Sequence, residues 1–354
     1  VLIGCSIACF GRWVSGRSSR VQKYINRKTL ILGTGQQAAT LWALFKSGSI
    51  QTAHLAGFLR YGSEVDQLRE VDPRVPEDRI IATRLGLCET AREQRVEEIV
   101  IAFDRPDESL PERALLDCRL KGISVIDSIS FVERETGRLG LDTLSLRWLV
   151  FSPGFRRGWL RASLKRLTDV AISTVMLVLL APVMALTALA VRRDSPGPAL
   201  FAQTRVGLGG KPFTMYKFRS MRQDAEGDGK ARWAQQNDDR ITRLGRFLRK
   251  TRLDELPQLY NVLRGDMSLV GPRPERPEFV EGLAAEIPFY EERHSVRPGL
   301  TGWAQTSYAY ASTIEETRTK LEYDLYYVKN YSFLLDLFVL IQTFRVALRG
   351  DGAR

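Results

Sequence analysis

The chain has 354 residues, 44% of them hydrophobic and 26% charged, an ordinary composition for about two globular domains. That composition argues against a long disordered tail, a collagen-like repeat and a multi-span carrier. Lysine and arginine number 52 against 41 acidic residues, and the net charge of +11 suits an anionic partner: nucleic acid, a phospholipid surface or a phosphorylated small molecule.

Cys5, Cys9, Cys88 and Cys118 form no Cys-x-x-Cys pair, and the histidines are His54 and His294, so no zinc site is expected. The cysteines read as reduced and cytosolic. Residues 1–25 begin with an apolar stretch, 1–10, followed by Arg12, Arg17 and Arg20. About ten residues cannot span a bilayer. Two readings stay open: the end of a truncated spanning helix with its cytoplasmic basic flank, or a buried or loose terminus.

The apolar run 29–32 leads into Gly33-Thr34-Gly35-Gln36-Gln37-Ala38 and a helical pattern over 39–45. Strand, glycine turn and helix open a Rossmann-like βαβ unit. Residues 54–59, 79–83, 98–103 and 123–126 predict further strands, and 87–95 and 111–120 predict helices. The alternation predicts a parallel sheet covered on both faces, over residues 26–130. The glycine loop lacks a third glycine, and no acidic residue about 20 positions on ends a clear second strand. It is either a tight turn that lets helix pack on strand or a site for a nucleotide-like ligand.

Residues 131–160 read as an interfacial linker. Trp148, Phe151, Phe155 and Trp159 stand among Arg156, Arg157 and Arg161, which suits a membrane interface; a packed linker is the plainer alternative. Residues 170–191 carry no charge over about 22 positions, enough to cross a hydrocarbon core. Arg161, Lys165 and Arg166 precede them, Arg192 and Arg193 follow, and Pro182 sits in the middle. A simple span would leave one basic cluster outside, and proline removes a backbone donor and kinks a helix. The pattern predicts a re-entrant helix-break-helix over 165–193, with a simple span or a buried core helix as rivals.

Residues 203–207 and 215–221 are basic, strand-like pieces, and 223–239 reads as a polar loop. Residues 243–250 form a basic amphipathic helix with Leu244, Phe247 and Leu248 on one side, suited to a headgroup surface. Pro257 belongs in the first turn of the next helix. Asp254 and Glu255 therefore fall at its N-cap or first turn, and Gly265 is its expected stop. A positive helix N-terminus keeps a carboxylate ionised and attracts phosphate, and Arg249 and Arg252 add charge. An ionised Asp254 beside such a pocket suits a nucleophile in phosphoryl chemistry; plain capping explains the same residues. Arg273, between Pro272 and Pro274, and Arg297, before Pro298, offer pre-set guanidinium groups for phosphate, or rigid surface loops.

Several motifs occur in a fixed order: Lys165-Arg166…Asp169, Ala181-Pro182, Lys217-Phe218-Arg219-Ser220-Met221, Leu253-Asp254-Glu255-Leu256, Gly265-Asp266-Met267-Ser268, Gly271-Pro272-Arg273-Pro274 and Arg297-Pro298-Gly299…Gly302-Trp303-Ala304-Gln305. Over about residues 160–350 the chain resembles the bacterial sugar transferases, or monotopic phosphoglycosyl transferases. The resemblance implies a mostly α, membrane-associated catalytic domain, 161–354, with a re-entrant helix broken at Pro182. The preceding α/β domain is similar to the CoA-binding-like domain of the long members. The implied reaction moves a sugar-1-phosphate from a UDP-sugar to polyprenyl (undecaprenyl) phosphate, through a phosphosugar on Asp254, with release of UMP. Asp254 and Glu255 are the implied catalytic pair and would contact Mg²⁺. Lys217, Arg219, Arg249, Arg273 and Arg297 match substrate-binding positions.

The implied setting is a phospholipid membrane, the bacterial inner membrane, with the catalytic domain on its cytoplasmic face; homodimerisation is left open. Where many members carry Asn-Gly and then an Arg, this chain has Thr306 to Ser312, which leaves that Arg contact unassigned. Residues 320–327 look like the branch tied to exopolysaccharide assembly. The last apolar helix, 333–348, reads as interfacial or as a core helix. An NAD-dependent nucleotide-sugar enzyme would need a Tyr-x-x-x-Lys pair after the sheet, and none follows it in the first 150 residues. A non-catalytic membrane anchor would not need Asp254-Glu255 beside Arg249 and Arg273. Nucleic-acid binding finds no groove-reading motif here.

Overall fold

The computed structural model describes residues 27–60, 71–81, 85–104, 110–142, 144–155, 158–222, 238–308 and 313–349. The chain divides into two compact units, Val1–Ser145 and Leu146–Arg354. The expected helix end at residues 1–25 lies outside the described residues, as do Arg156 and Arg157 and most of the polar loop.

In the first unit the elements are β1 (Arg27–Leu32), α1 (Gln36–Lys46), β2 (Ala53–Leu59), β3 (Ile80–Ile81), α2 (Leu87–Glu93), β4 (Glu98–Ile101), α3 (Glu112–Leu120), β5 (Ser124–Asp127) and α4 (Ser128–Thr136). The strands pair in parallel in the order β3-β2-β1-β4-β5. Successive side chains on a strand face opposite ways, and here both faces are covered. Leu30, Leu32 and Ile99 pack with Leu87, Ala91 and Leu115 of α2 and α3 on one face. Ile31, Phe58 and Val100 pack with Ala38 and Leu41 of α1 and Phe131 of α4 on the other. Phe131 thus belongs to this core, and residues 131–145 go with the first unit rather than with a linker.

The glycine loop closes on the protein itself. Gly33 has φ of +127°, and a Cβ there would lie 2.4 Å from the Ala102 carbonyl oxygen. The Asp104 carboxylate, just beyond β4, accepts from the Gln36 and Gln37 N–H groups at 2.7 Å each. A Cβ on Gly35 would sit 1.9 Å from that carboxylate. A bound phosphate would take this place at a helix N-terminus; an internal carboxylate holds it instead.

The second unit contains α5 (Leu146–Phe151), α6 (Trp159–Asp194), β6 (Leu200–Val206), β7 (Pro212–Phe218), α7 (Arg243–Lys250), α8 (Gln258–Arg264), β8 (Ser268–Val270), α9 (Pro277–Glu286), β9 (Gly299–Thr301), α10 (Trp303–Ser307), α11 (Ile314–Asn330) and α12 (Phe333–Arg349). β6 and β7 form an antiparallel hairpin, and β8 pairs with β9 in parallel. Asn261 of α8 is buried, donates to the Thr214 carbonyl at 2.7 Å and accepts from the Tyr216 N–H at 3.0 Å. It therefore acts as a side-chain rung between α8 and the hairpin.

α6 is the one helix among the described residues long and apolar enough to cross a membrane. The expected interruption at Pro182 is absent: the helix continues through it for 36 residues. Proline removes one intrahelical hydrogen bond, and the good helix formers around it carry the turn onward. Asp169, Ser173, Thr187 and Val191 line the protein-facing stripe, while Val175, Val178, Leu179 and Leu186 are exposed. Both ends are tied to the same unit. Near the start, Lys165 pairs with Asp336 at 2.6 Å and Asp169 accepts from the Leu269 N–H at 3.1 Å. Near the finish, Val191 packs with Phe218 and Leu248.

α12 is apolar on both faces, with Leu335 and Val339 buried. Its Asp336 faces inward, bonded to Lys165 and the Tyr327 hydroxyl, while Phe333, Leu334, Leu337, Ile341 and Phe344 are exposed. On α7, Leu248 is buried but Phe247 is 55% exposed. Phe247 thus leaves the apolar side expected for it and joins the basic outer face.

Replacing Asp104 by Ala should lower the unfolding free energy of the first unit by about 1 kcal/mol, the usual effect of losing a helix N-cap. Chemical denaturation of the two proteins checks this, and an unshifted midpoint would remove the capping role.

Candidate active site

The Leu253–Glu255 segment is a 3-10 turn, entered from Arg252 in the left-handed region at φ +58°. A non-glycine residue there is uncommon and marks local strain. Leu256 and Pro257 are helical, and α8 starts at Gln258. The two carboxylates therefore sit on a tight turn ahead of α8 rather than at its own N-cap. Gly265, at φ +95°, ends α8 as expected.

Asp254 and Glu255 are 7% and 9% exposed. Glu255 Oε1 meets three cations: Arg273 Nη2 at 3.0 Å, Arg252 Nη1 at 3.6 Å and Lys217 Nζ at 3.7 Å. Asp254 Oδ1 is buried without a hydrogen-bond partner. Arg249 donates from Nε to Ser220 Oγ at 3.0 Å, and its charge acts on Asp254.

Burial raises both carboxyls, but the outcomes diverge. Around Glu255 the cations Arg273, Lys217 and Arg252 overcome burial and hold the carboxyl at about 2. Asp254 is pushed above the usual carboxylate range, first by burial and then by the adjacent Glu255 charge, with Lys217, Arg249 and Arg273 opposing. The Asp254 carboxyl thus departs from the expectation that a helix N-terminus lowers it, because desolvation and a like charge outweigh the cations. Lys217 is brought down to about 8, by burial and then by Arg273. Neighbouring groups pushed apart in this way are the usual signature of assigned roles at a reactive site.

A family model for bacterial sugar transferases matches residues 160–350. The chain belongs to the bacterial sugar transferase family. It is 46% identical over 246 residues to a UDP-N-acetylgalactosamine-undecaprenyl-phosphate N-acetylgalactosaminephosphotransferase of Aeromonas hydrophila, covering 69% of this chain and 56% of that protein. It is 46% identical over 191 residues to a UDP-glucose:undecaprenyl-phosphate glucose-1-phosphate transferase of Caulobacter vibrioides, covering 53% of this chain and 71% of that protein. An undecaprenyl-phosphate glucose phosphotransferase of Komagataeibacter xylinus is 32% identical over 355 residues, which cover 95% of this chain and 62% of the relative. The chain thus spans little more than half of the first of these proteins.

Within this sugar transferase unit, Lys217, Arg249 and Arg273 stand around the carboxylate pair, but two other expected substrate residues do not. Arg219 is buried and turns to the end of α6, donating to the carbonyls of Pro196 at 2.9 Å and Ser195 at 2.6 Å. Arg297 donates from Nε to the Gly265 carbonyl at 3.0 Å, at the end of α8. A helix C-terminus leaves carbonyls unpaired and carries negative partial charge, so both guanidinium groups cap helices rather than face the pair. Arg166 does the same, donating to the carbonyls of Val262 at 2.5 Å and Leu263 at 2.6 Å. Pro182 lies within α6.

Asn261 escapes sequence reasoning because nothing local distinguishes it from a surface asparagine. Arg252 is legible only as added charge; its pairing with Glu255 depends on the 3-10 turn. Among the described residues no group of three or more His, Cys, Asp or Glu side chains could hold a metal ion unaided. Magnesium often takes one or two carboxylates and fills its shell with substrate phosphates and water. Adjacent carboxylates, one with an unpartnered oxygen, fit that mode.

The opposite shifts predict opposite effects on stability. Asp254, raised when folded, disfavours the ionised native state, so Asp254→Asn should raise the melting temperature near pH 7, with the difference fading below its ordinary pKa of about 3.8. Glu255, lowered when folded, stabilises above about 4.5 and loses that contribution as pH falls towards about 2. Glu255→Gln should therefore melt lower near pH 7. Thermal unfolding of both variants across pH checks the signs, and a stabilised Glu255→Gln would contradict the assignment.

Proposed function

We propose that this protein is a membrane phosphoglycosyl transferase that moves a sugar-1-phosphate from a UDP-sugar to a polyprenyl phosphate such as undecaprenyl phosphate. The observation that carries this is the buried, unpartnered Asp254 Oδ1 beside a carboxylate neutralised by three cations. The names of the relatives support the same substrate classes.

Asp254 Oδ1 attacks the β-phosphorus of the UDP-sugar. The bond from that phosphorus to the bridging oxygen breaks, and UMP leaves with the electron pair. An oxygen of the polyprenyl phosphate then attacks the same phosphorus, the bond to Asp254 breaks, and a polyprenyl-diphosphate-sugar departs. Arg273, Arg249, Arg252 and Lys217 surround the pair with positive charge, which suits phosphate oxygens whose charge grows as the leaving group separates. Glu255 orders these cations and, by its own charge, keeps them from neutralising Asp254 too strongly for attack. Asp254 and Glu255 would hold a Mg²⁺ ion, which would neutralise diphosphate charge.

The exposed apolar flank of α6 and the exposed apolar residues of α12 and α7 support a position at a bilayer, since patches of this kind usually mark a membrane or partner surface. α6 would measure about 54 Å if straight, more than a hydrocarbon core needs. Both its ends are tied to the catalytic unit, which supports re-entrant insertion; a kink at Pro182, where one intrahelical hydrogen bond is lost, would turn the helix without ending it. The inner membrane, with the catalytic unit on its cytoplasmic face, is the setting this implies.

Asp254→Ala should abolish UMP release from a panel of UDP-sugars, at least 1,000-fold by the usual cost of removing a nucleophile, while the protein stays in the membrane fraction. Incubating wild type with donor alone should add the mass of a phosphosugar to the peptide carrying Asp254. UMP release retained by the variant would end the assignment, and a membrane-bound wild type without UMP release would favour the anchor reading.

A further inference from the structure

Arg273 neutralises Glu255 from an irregular loop, and two prolines give that loop no N–H groups at positions 272 and 274. At those two positions the backbone can be held only through carbonyls. Each carbonyl from 272 to 275 has a donor: Gly299 N–H to Pro272 at 2.9 Å, Arg293 Nη2 to Arg273 at 2.9 Å, Arg205 Nη1 to Pro274 at 3.1 Å and Val206 N–H to Glu275 at 2.9 Å. The donor behind Arg273 is a side chain that is itself 3% exposed. Arg293 Nη2 also donates to Asp324 Oδ2 at 2.7 Å, and Nη1 donates to the Tyr290 hydroxyl at 2.8 Å. Asp324 comes from the middle of α11, in the core.

A buried ion pair is weak evidence for stability, because apolar residues of the same volume often serve as well. Its placement gives this one a different use. Asp324 and Tyr290 fix the guanidinium, and the Nη2 that meets Asp324 also donates to the backbone of the residue whose side chain meets Glu255. Neighbouring Glu275 is itself tied to Lys320 at 2.9 Å and lies 3.6 Å from Arg205. We propose that Arg293, fixed by Asp324 and Tyr290, is a positioning residue that sets where Arg273 meets Glu255; its catalytic consequence rests on the transferase reading above.

Four full-length proteins test this: wild type, Arg273→Ala, the paired change Arg293→Met with Asp324→Leu, and all three changes together. The paired change removes both buried charges at once, so neither is left alone. It should slow UMP release roughly 10- to 100-fold, the scale expected of a 1 Å misplacement. The loss should fall on kcat and leave the KM for the donor little changed, because a displaced Arg273 weakens stabilisation of charge that grows as the leaving group separates. Added to Arg273→Ala, it should cost little more, the mark of two changes acting through one group. A loss that lies in KM, or losses that multiply, would overturn the proposal. The same four proteins are melted. If wild type releases no UMP, the transferase reading fails and melting alone decides: coupled shifts support the link and additive shifts overturn it. Should the paired variant not fold, Arg293→Lys keeps the charge for Asp324 but loses the planar fork, and the same two measurements apply.

Discussion

The second unit is organised around one electrostatic asymmetry. Two neighbouring carboxylates are buried together, and only Glu255 has cations in ion-pair contact at Oε1. Two like charges this close cannot both ionise freely. Gathering Arg273, Arg252 and Lys217 on Glu255 settles which one is the fixed anion. Asp254 is left unpartnered at Oδ1, with its carboxyl pushed above the usual range by burial and by the Glu255 charge.

The arginines of this unit divide by what they face. Arg166 and Arg297 hold the end of α8, and Arg219 holds the end of α6. Carbonyls at a helix end need donors, and where the end is buried water cannot supply them. Arg249, Arg252 and Arg273 face the carboxylates instead. The arginines therefore serve two purposes here: pairing with the buried carboxylates, and donating to the carbonyls at helix C-termini. Arg166 also joins α6 to α8, so the apolar helix and the turn that carries Asp254 share one rigid frame.

The first unit shows how a motif can keep its geometry and lose its usual occupant. Gly33 and Gly35 allow the close approach that the strand–turn–helix requires, and Asp104 fills the anion position at the start of α1. The parallel sheet keeps apolar side chains on both faces, and the Asp104 carboxylate takes the N–H groups that open α1.

Much of this was legible in the sequence because it depends on local pattern. Strand and helix alternation in the first unit, the uncharged run in α6, Pro257 before and Gly265 after α8, and the ordered motifs of the transferase family all follow from residues close in the chain. Those patterns determined the α/β class, the long apolar helix and the adjacent Asp254 and Glu255. Tertiary structure alone decided which arginines face that pair, that the turn holding Asp254 is a 3-10 turn entered from a strained Arg252, and that Arg293 and Asp324 meet behind Arg273. It also continued α6 through Pro182 and turned Asp336 inward. The physical reason is range: caps, strands and apolar stripes are set by neighbours a few positions away, whereas a guanidinium finds its partner across tens of residues, in a place that exists once the chain has packed.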